Sequence, residues 1–575
     1  MNFQQLIEAF QQNTLDVSLP NFRSEVALCA TIVAMLLARL PRWGWKVNSF
    51  WIALAGSLVA LYFTAPWQNL NAPRQEIFTG MLVYDGLTVY FRSVLMLFAV
   101  LFLVLTWLSG IPDREDSPDF YTLILGATLG MCIMASANHL LTIFLGVEMA
   151  SVPSYALAGM LKGRRTASEA ALKYSVYGAG AAGVMLYGIS LLAGALGSAH
   201  LPTMVQQMAS LSAEGWADRQ TVLMLGGLMM LVGLAFKLSA VPFHFWCPDV
   251  FEGASAEVNA FLSVASKAAA LALLVRVSLG FAYLPPPAHE TATTQVATNQ
   301  LTAGETTVGR TVPVLAVSVV STAPNATHAA TSDASSVSDI SPGDRMAAVR
   351  KYIVGLIALL AAVTCTFGNL AAYAQTNIKR LLAYSTIAHA GYMMMPVAAA
   401  VALVGKDNVA AESAVAAVAF YVGAYLFMNL GAFTIVAFLR NAMRSEEIAD
   451  YAGLVRSCPG LTICFSLILV SLIGIPPLSG FSAKLVAFYA LVPADLYWLL
   501  AVGGINTVIS LFYYLRVIKV MTIDPEPAGR VPVNFSAVSA EGAYVVLITV
   551  PVVVLGVWWD PLNRWAQDAA SHLLS

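Results

Sequence analysis

The sequence predicts an all-α polytopic membrane protein of about fourteen transmembrane helices. Three observations lead there. The 575 residues are 58% hydrophobic and 11% charged, where soluble domains carry roughly 25% charged residues. Apolar runs of about 20 residues, long enough to cross a bilayer as a helix, recur along nearly the whole chain. These runs are continuous, whereas a transmembrane barrel needs short strands of alternating hydrophobicity.

The predicted spans lie at about 24–40, 49–65, 87–108, 120–136, 138–160, 172–196, 221–248, 256–284, 350–372, 380–403, 412–439, 461–490, 496–522 and 541–559. Proline interrupts two of them, Pro242 in the seventh and Pro476-Pro477 in the twelfth. The breaks lie five spans apart, and corresponding broken helices in two halves point to inverted repeats with an ion pathway between them. The chain therefore divides into N-terminal helices 1–3 (1–118), a first five-helix repeat (119–284, helices 4–8), a second (348–522, helices 9–13), and a loop with helix 14 (523–575). Between the repeats, residues 285–347 open on Pro285-Pro286-Pro287 and continue as Thr, Ala, Ser and Val. That low-complexity stretch is expected to be a disordered insertion on the outer face, because its apolar patch VPVLAVSVV is too short to span. A structured extra module is the alternative.

Lys and Arg in the connections set the orientation. They gather in the odd-numbered loops: Arg39, Arg42 and Lys46; Arg114; Lys162, Arg164 and Arg165; Lys379 and Arg380; Arg440, Arg444 and Arg456; Arg516, Lys519 and Arg530. That places both termini on the outer side, although the seventh loop (Asp249, Glu252, Glu257) is acidic and gives the rule no support. The first 20 residues lack a basic start and a cleavage site, so the first span is expected to be retained.

Composition also narrows the chemistry. A net charge of −2 gives no sign of nucleic-acid binding. Cys29, Cys132, Cys247, Cys365, Cys458 and Cys464 are scattered, with no Cys/His cluster for iron–sulfur, haem or zinc. No glycine-rich phosphate loop is present, so nucleotide binding finds no support.

Charge inside the apolar runs carries the functional signal. A positive charge at a span's centre costs on the order of 2.5–3.5 kcal/mol, so it faces protein or water. Glu148 lies in LLTIFLGVEMASVPSYALAGM, Lys237 in GGLMMLVGLAFKLSAVPFHF, Lys267 in VNAFLSVASKAAALALLV and Lys484 in GIPPLSGFSAKLVAF. Lysine shifts its pKa readily when buried, down by desolvation and up beside a carboxylate. One glutamate and three lysines on different helices can therefore form a proton relay. The breaks supply irregular backbone, tolerated at membrane depth where it lines a cavity or is buried in protein. His244, just past the first break, and His139 and His389 are further candidates, each weighed against a purely structural role. Arg92, Arg276 and Lys173 fit side chains that snorkel to the headgroups. Glu148 and Lys237 also fit a structural ion pair locking two helices, but Lys267 and Lys484 have no acidic residue nearby on their own helices.

The strings FLGVEMASVPSYAL, EAALKYSVYGAGAAGVMLYG, LAFKLSAVPFHFWCPDVFEGA and GIPPLSGFSAKLVAF resemble the antiporter-like membrane subunits of respiratory complex I. The resemblance covers about residues 20–284 and 350–560 and leaves the insertion without a counterpart. Within the family the chain is most similar to the subunit N branch of bacterial NADH–quinone oxidoreductase. Lysine at 484 argues against the subunit M branch, and no long lateral helix follows span fourteen as in subunit L. The resemblance implies a fourteen-helix membrane-arm subunit with two inverted five-helix repeats. It makes Glu148 and Lys237 the ion pair of the first half-channel, Lys267 the central relay residue, and Lys484 the terminal lysine of the second half-channel. Lys173 matches a further family lysine, and His244 remains a lesser candidate. The implied partners are other membrane-arm subunits, the lipid bilayer and the quinone pool. NADH, FMN, the iron–sulfur clusters and quinone belong to other parts of the assembled complex, with no cofactor on this chain. The implied location is the bacterial inner membrane, with periplasmic termini. A subunit of a multisubunit cation/proton antiporter, and a scaffold that does not pump, are the alternatives.

Overall fold

In the computed structural model, residues 4, 11–40, 48–113, 115–161, 163–284, 342–528, 530 and 539–574 are described. The stretch 285–341, most of the expected insertion, lies outside them, as do the loop residues Arg42, Lys46, Arg114 and Lys162.

The fold is helical throughout. The N-terminal spans are α1 (Arg23–Ala38), α2 (Ser49–Thr64) and, after a hairpin of β1 (Gln75–Ile77) and β2 (Leu82–Tyr84), α3 (Gly86–Ser109). Then come α4 (Ser117–Ser136), α5 (Leu140–Ala158), α6 (Arg165–Leu196), a short α7 (Leu201–Ser210), α8 (Ala213–Leu238), α9 (Trp246–Gly253) and α10 (Ala256–Ala282). The second half holds α11 (Pro342–Ala372), α12 (Ile378–Leu403), α13 (Asn408–Met443), α14 (Pro459–Ile473), α15 (Ser479–Tyr489), α16 (Tyr497–Thr522), α17 (Ala540–Val557) and α18 (Asp560–Ala570).

Among the described residues, thirteen helices are long and apolar enough to cross a membrane. The twelfth predicted span instead folds as α14 and α15, each too short to cross alone. The seventh stops at Leu238 and resumes as α9. Helix α11 begins at Pro342, inside the predicted insertion boundary of 347, and α6 begins at Arg165, before the predicted 172. Both extensions are polar first turns that hydropathy cannot see. The same blindness explains α7, whose Leu201, Met204, Val205 and Met208 recur at helical spacing and are buried.

Polar patterning decides which spans lie inside. Helices α10, α12 and α13 are apolar on nearly every face and are almost wholly enclosed. Spans α1, α2, α6 and α16 leave large apolar side chains exposed, as lipid-facing helices do.

Arg92 and Arg276 overturn the snorkelling expectation. Arg276 is buried, donating both terminal nitrogens to Asp85 at 2.6 and 2.8 Å and its Nε to Ala135 O at 2.6 Å. Arg92 Nε lies 2.5 Å from the buried Glu25 carboxylate. Burial opposes charge on Asp85, but the Arg276 guanidinium, its hydrogen bonds and the Thr88 N–H hold that carboxyl at about 2. This folded value lies below the unfolded value of about 3.9, so the pair's stabilisation is complete above about pH 4 and is lost as pH falls through 2. Asp85→Asn, leaving a buried guanidinium short of its counter-charge, should cost about 3 kcal/mol at neutral pH in detergent unfolding.

Candidate functional site

The first break is built around the end of α8. Ser239 turns left-handed (φ 57°) and Pro242 follows, so the last carbonyls of the helix lose their usual donors. Other groups replace them. Lys267 of α10 donates from Nζ to Leu238 O at 2.7 Å and to Ser239 Oγ at 2.9 Å. Trp246 Nε1 donates to Phe236 O at 3.0 Å, and its ring stacks on Tyr174. The Val241 N–H is held by Thr364 Oγ1 of α11 at 3.0 Å. A buried ammonium thus sits on the negative end of a broken helix, where the macrodipole favours it.

Lys237 occupies the last turn of the same helix and is 2% exposed. Its Nζ donates to Ser151 Oγ at 3.1 Å, and Ser151 in turn donates to Val147 O. Glu148 lies three residues before Ser151 on α5 and is half-buried. The expected contact pair of Glu148 and Lys237 is therefore not closed: among the described residues Glu148 has no ion pair within 4 Å, and a serine hydroxyl takes the ammonium instead. Sequence reading missed Ser151, although its spacing of three from Glu148 places both within one turn.

The second break repeats the plan. Helix α14 ends at Ile473, Gly474 is left-handed (φ 90°), and Pro476-Pro477 precede α15. Lys484 donates from Nζ to Ile473 O at 2.8 Å and lies 4.3 Å above the Tyr392 ring. The chain doubles back so tightly that a Cβ on Gly480 would stand 1.8 Å from Ser471 O, and the Gly480 N–H bonds Ser471 Oγ at 3.0 Å. Only glycine fits there. At both breaks the final helical carbonyl receives a buried lysine, Lys267 at one and Lys484 at the other.

Helix α11 touches both breaks. Thr364 holds the first, and Asn369 donates to the hydroxyl of Tyr392, the ring beneath Lys484, at 3.3 Å. Asn369 also meets Asn506 and Tyr513 of α16 at 3.4 and 3.0 Å. His389, buried on α12, bonds Tyr421 OH through Nδ1 at 2.9 Å. His244 packs edge-on to Phe367 of α11 with centroids 4.4 Å apart. His139 stands apart as the N-cap of α5, its Nδ1 accepting the Leu141 N–H. Its burial and His200 push its imidazole down.

Lys173 is one-third exposed and pairs with Glu169 and Asp249 at 2.9 and 2.8 Å. It belongs to a charged band joining the halves. Asp249 and Glu252 of α9 meet Arg380, Glu257 meets Arg440, and buried Lys379 bonds Glu446 and the carbonyls of Glu252 and Ala254. Among the described residues, no group of three or more His, Cys, Asp or Glu is placed to hold a metal ion.

The family described as NADH:quinone oxidoreductase/Mrp antiporter, TM, matches residues 137–298 and 343–510. These stretches contain both breaks and all four charged residues. A subunit N of NADH-quinone oxidoreductase from Anaeromyxobacter sp. (strain Fw109-5) is 34% identical over 562 residues, covering 95% of each chain. A subunit N 2 of the same enzyme from Sorangium cellulosum (strain So ce56) is 35% identical over 585 residues, covering 98% of this chain and 100% of the relative. A chain of respiratory complex I from Thermus thermophilus, solved with bound Aureothin, superposes with a TM-score of 0.66 at 28% identity, covering 94% of this chain and 98% of that one. The chain belongs to the NADH:quinone oxidoreductase/Mrp antiporter transmembrane family.

Proposed function

We propose that this chain is a proton-translocating subunit in the membrane arm of an NADH–quinone oxidoreductase. Lys237, Lys267 and Lys484 are its proton stations, and Glu148 is the carboxylate that acts on Lys237. The observation that carries the reading is the lysine-capped break, found twice. A carbonyl or hydroxyl acceptor offsets part of the cost of keeping a buried ammonium protonated in a water-poor setting. When the break shifts, that acceptor moves away and the neutral amine becomes the better state. Approach of Glu148 to Lys237 has the opposite effect, so the open geometry of that pair corresponds to one state of a cycle.

The two breaks belong to two five-helix repeats, 119–284 and 348–522. The inner-face band of charge, Lys173 included, links them. His244 and His389 are lesser members of the path. NADH, FMN, iron–sulfur clusters and quinone act on other subunits, and this chain carries no redox step. Both termini lie on the periplasmic side of a bacterial inner membrane.

A second reading, a subunit of a multisubunit cation/proton antiporter, draws on the other half of the family's description. Affinity purification of the tagged chain separates the two: quinone-oxidoreductase subunits should come down with it, and recovery of small antiporter subunits instead would overturn the reading. Glu148→Gln should impair coupled turnover by about tenfold or more with assembly intact. Loss of assembly alone would mark Glu148 as a structural residue.

A further inference from the structure

The proton path makes no use of α1 and α2, yet these spans carry two adjoining cavities. One is an apolar groove of about 1080 Å³ between them, lined by residues such as Val26, Ala30, Ala34, Ala55 and Val59. Its floor is tight: a Cβ on Gly56 would stand 2.0 Å from Thr31 Oγ1, so glycine is needed where the helices meet. The other is a polar chamber of about 490 Å³, with Arg23, Tyr62, Trp67 and Arg92 in its wall. Pro20, Arg23 and Phe63 line both, so the groove opens into the chamber.

We propose that groove and chamber together bind one monoanionic phospholipid, acyl chain between α1 and α2 and phosphate against Arg23. The charges match a single phosphodiester. Buried Glu25 balances Arg92, and Arg23, which lines both cavities, forms no ion pair among the described residues. Arg92 Nη2, also buried, makes no hydrogen bond among the described residues. The dimensions match a lipid better than a partner's spanning helix. From Arg23 to Ala34 the groove follows eleven residues of helix, about 16 Å at 1.5 Å per residue. That is close to one leaflet of a hydrocarbon core about 30 Å thick. Tyr62 and Trp67, both largely exposed, frame the polar end as interfacial aromatics do.

The test uses the whole complex containing this chain, purified and delipidated in detergent, then exposed to vesicles of phosphatidylglycerol or phosphatidylethanolamine. Bound lipid is counted by native mass spectrometry. Phosphatidylglycerol should rebind at one molecule per chain, and phosphatidylethanolamine at least about tenfold more weakly, as expected for one charge-assisted contact. Arg23→Gln should lower occupancy by a similar factor, and Ala55→Trp, which fills the groove, should abolish it. Neither residue belongs to the proton path, so quinone reduction should persist in both variants and the result is independent of the relay. Equal binding of the two lipids, or wild-type occupancy in both variants, would overturn the proposal. So would a crosslink from Ala55→Cys to another subunit, showing that a protein helix fills the groove.

Discussion

Replacing Lys267 by methionine is expected to lower proton translocation and the quinone reduction coupled to it by on the order of a hundredfold, the low end of what a positioned proton-transfer group contributes. Two effects combine. The substitution removes the proposed proton carrier, and it leaves Leu238 O and Ser239 Oγ without their donor at the end of α8. Lys267→Arg separates them. Arginine keeps the charge and the donors to the broken helix but does not release its proton. The arginine variant should therefore assemble and keep its thermal stability while translocation stays low. If Lys267→Arg pumps normally, Lys267 serves as a cap and carries no protons.

A structural effect as large as that at Asp85 is expected at Lys379. Its ammonium, 2% exposed, bonds Glu446 Oε2 at 2.9 Å and the Glu252 and Ala254 carbonyls at 2.8 Å each. Those carbonyls belong to the end of α9, the piece of the seventh span beyond the break, whereas Lys379 and Glu446 belong to the second half. Lys379→Met strands three acceptors at once. It should destabilise the chain by about 3 kcal/mol, the lower end for breaking a buried pair, because Glu446 is itself 17% exposed. Thermal unfolding of the assembled complex measures this, and adding Glu446→Gln should recover part of the loss. A single variant as stable as wild type would remove Lys379 from any part in holding the halves together.

Much of this architecture is legible in the sequence, because membrane spans are local signals. Apolar length marks them, and Pro242 and Pro476-Pro477 mark the breaks. Glu148, Lys237, Lys267 and Lys484 stand out because charge is costly there. What the sequence hides is partnership at a distance. Arg276 reads as a snorkelling residue until Asp85, 191 positions earlier, is placed against it. Lys379 reads as one more basic loop residue until the fold buries it beneath α9. The capping role of Lys267 and Lys484 is hidden for a related reason, since a backbone carbonyl leaves no trace in residue identity. Only the ends of the two pieces of the twelfth span, Ile473 and Ser479, escape, because hydropathy averages across the break that Pro476-Pro477 mark.

Buried lysines at broken helices carry protons only if translocation depends on them. The most direct measurement is proton translocation and quinone reduction by the assembled complex in sealed vesicles, wild type against Lys237→Ala, with assembly verified in both. The relay predicts that both activities fall together in the variant. Both activities at wild-type levels would contradict it.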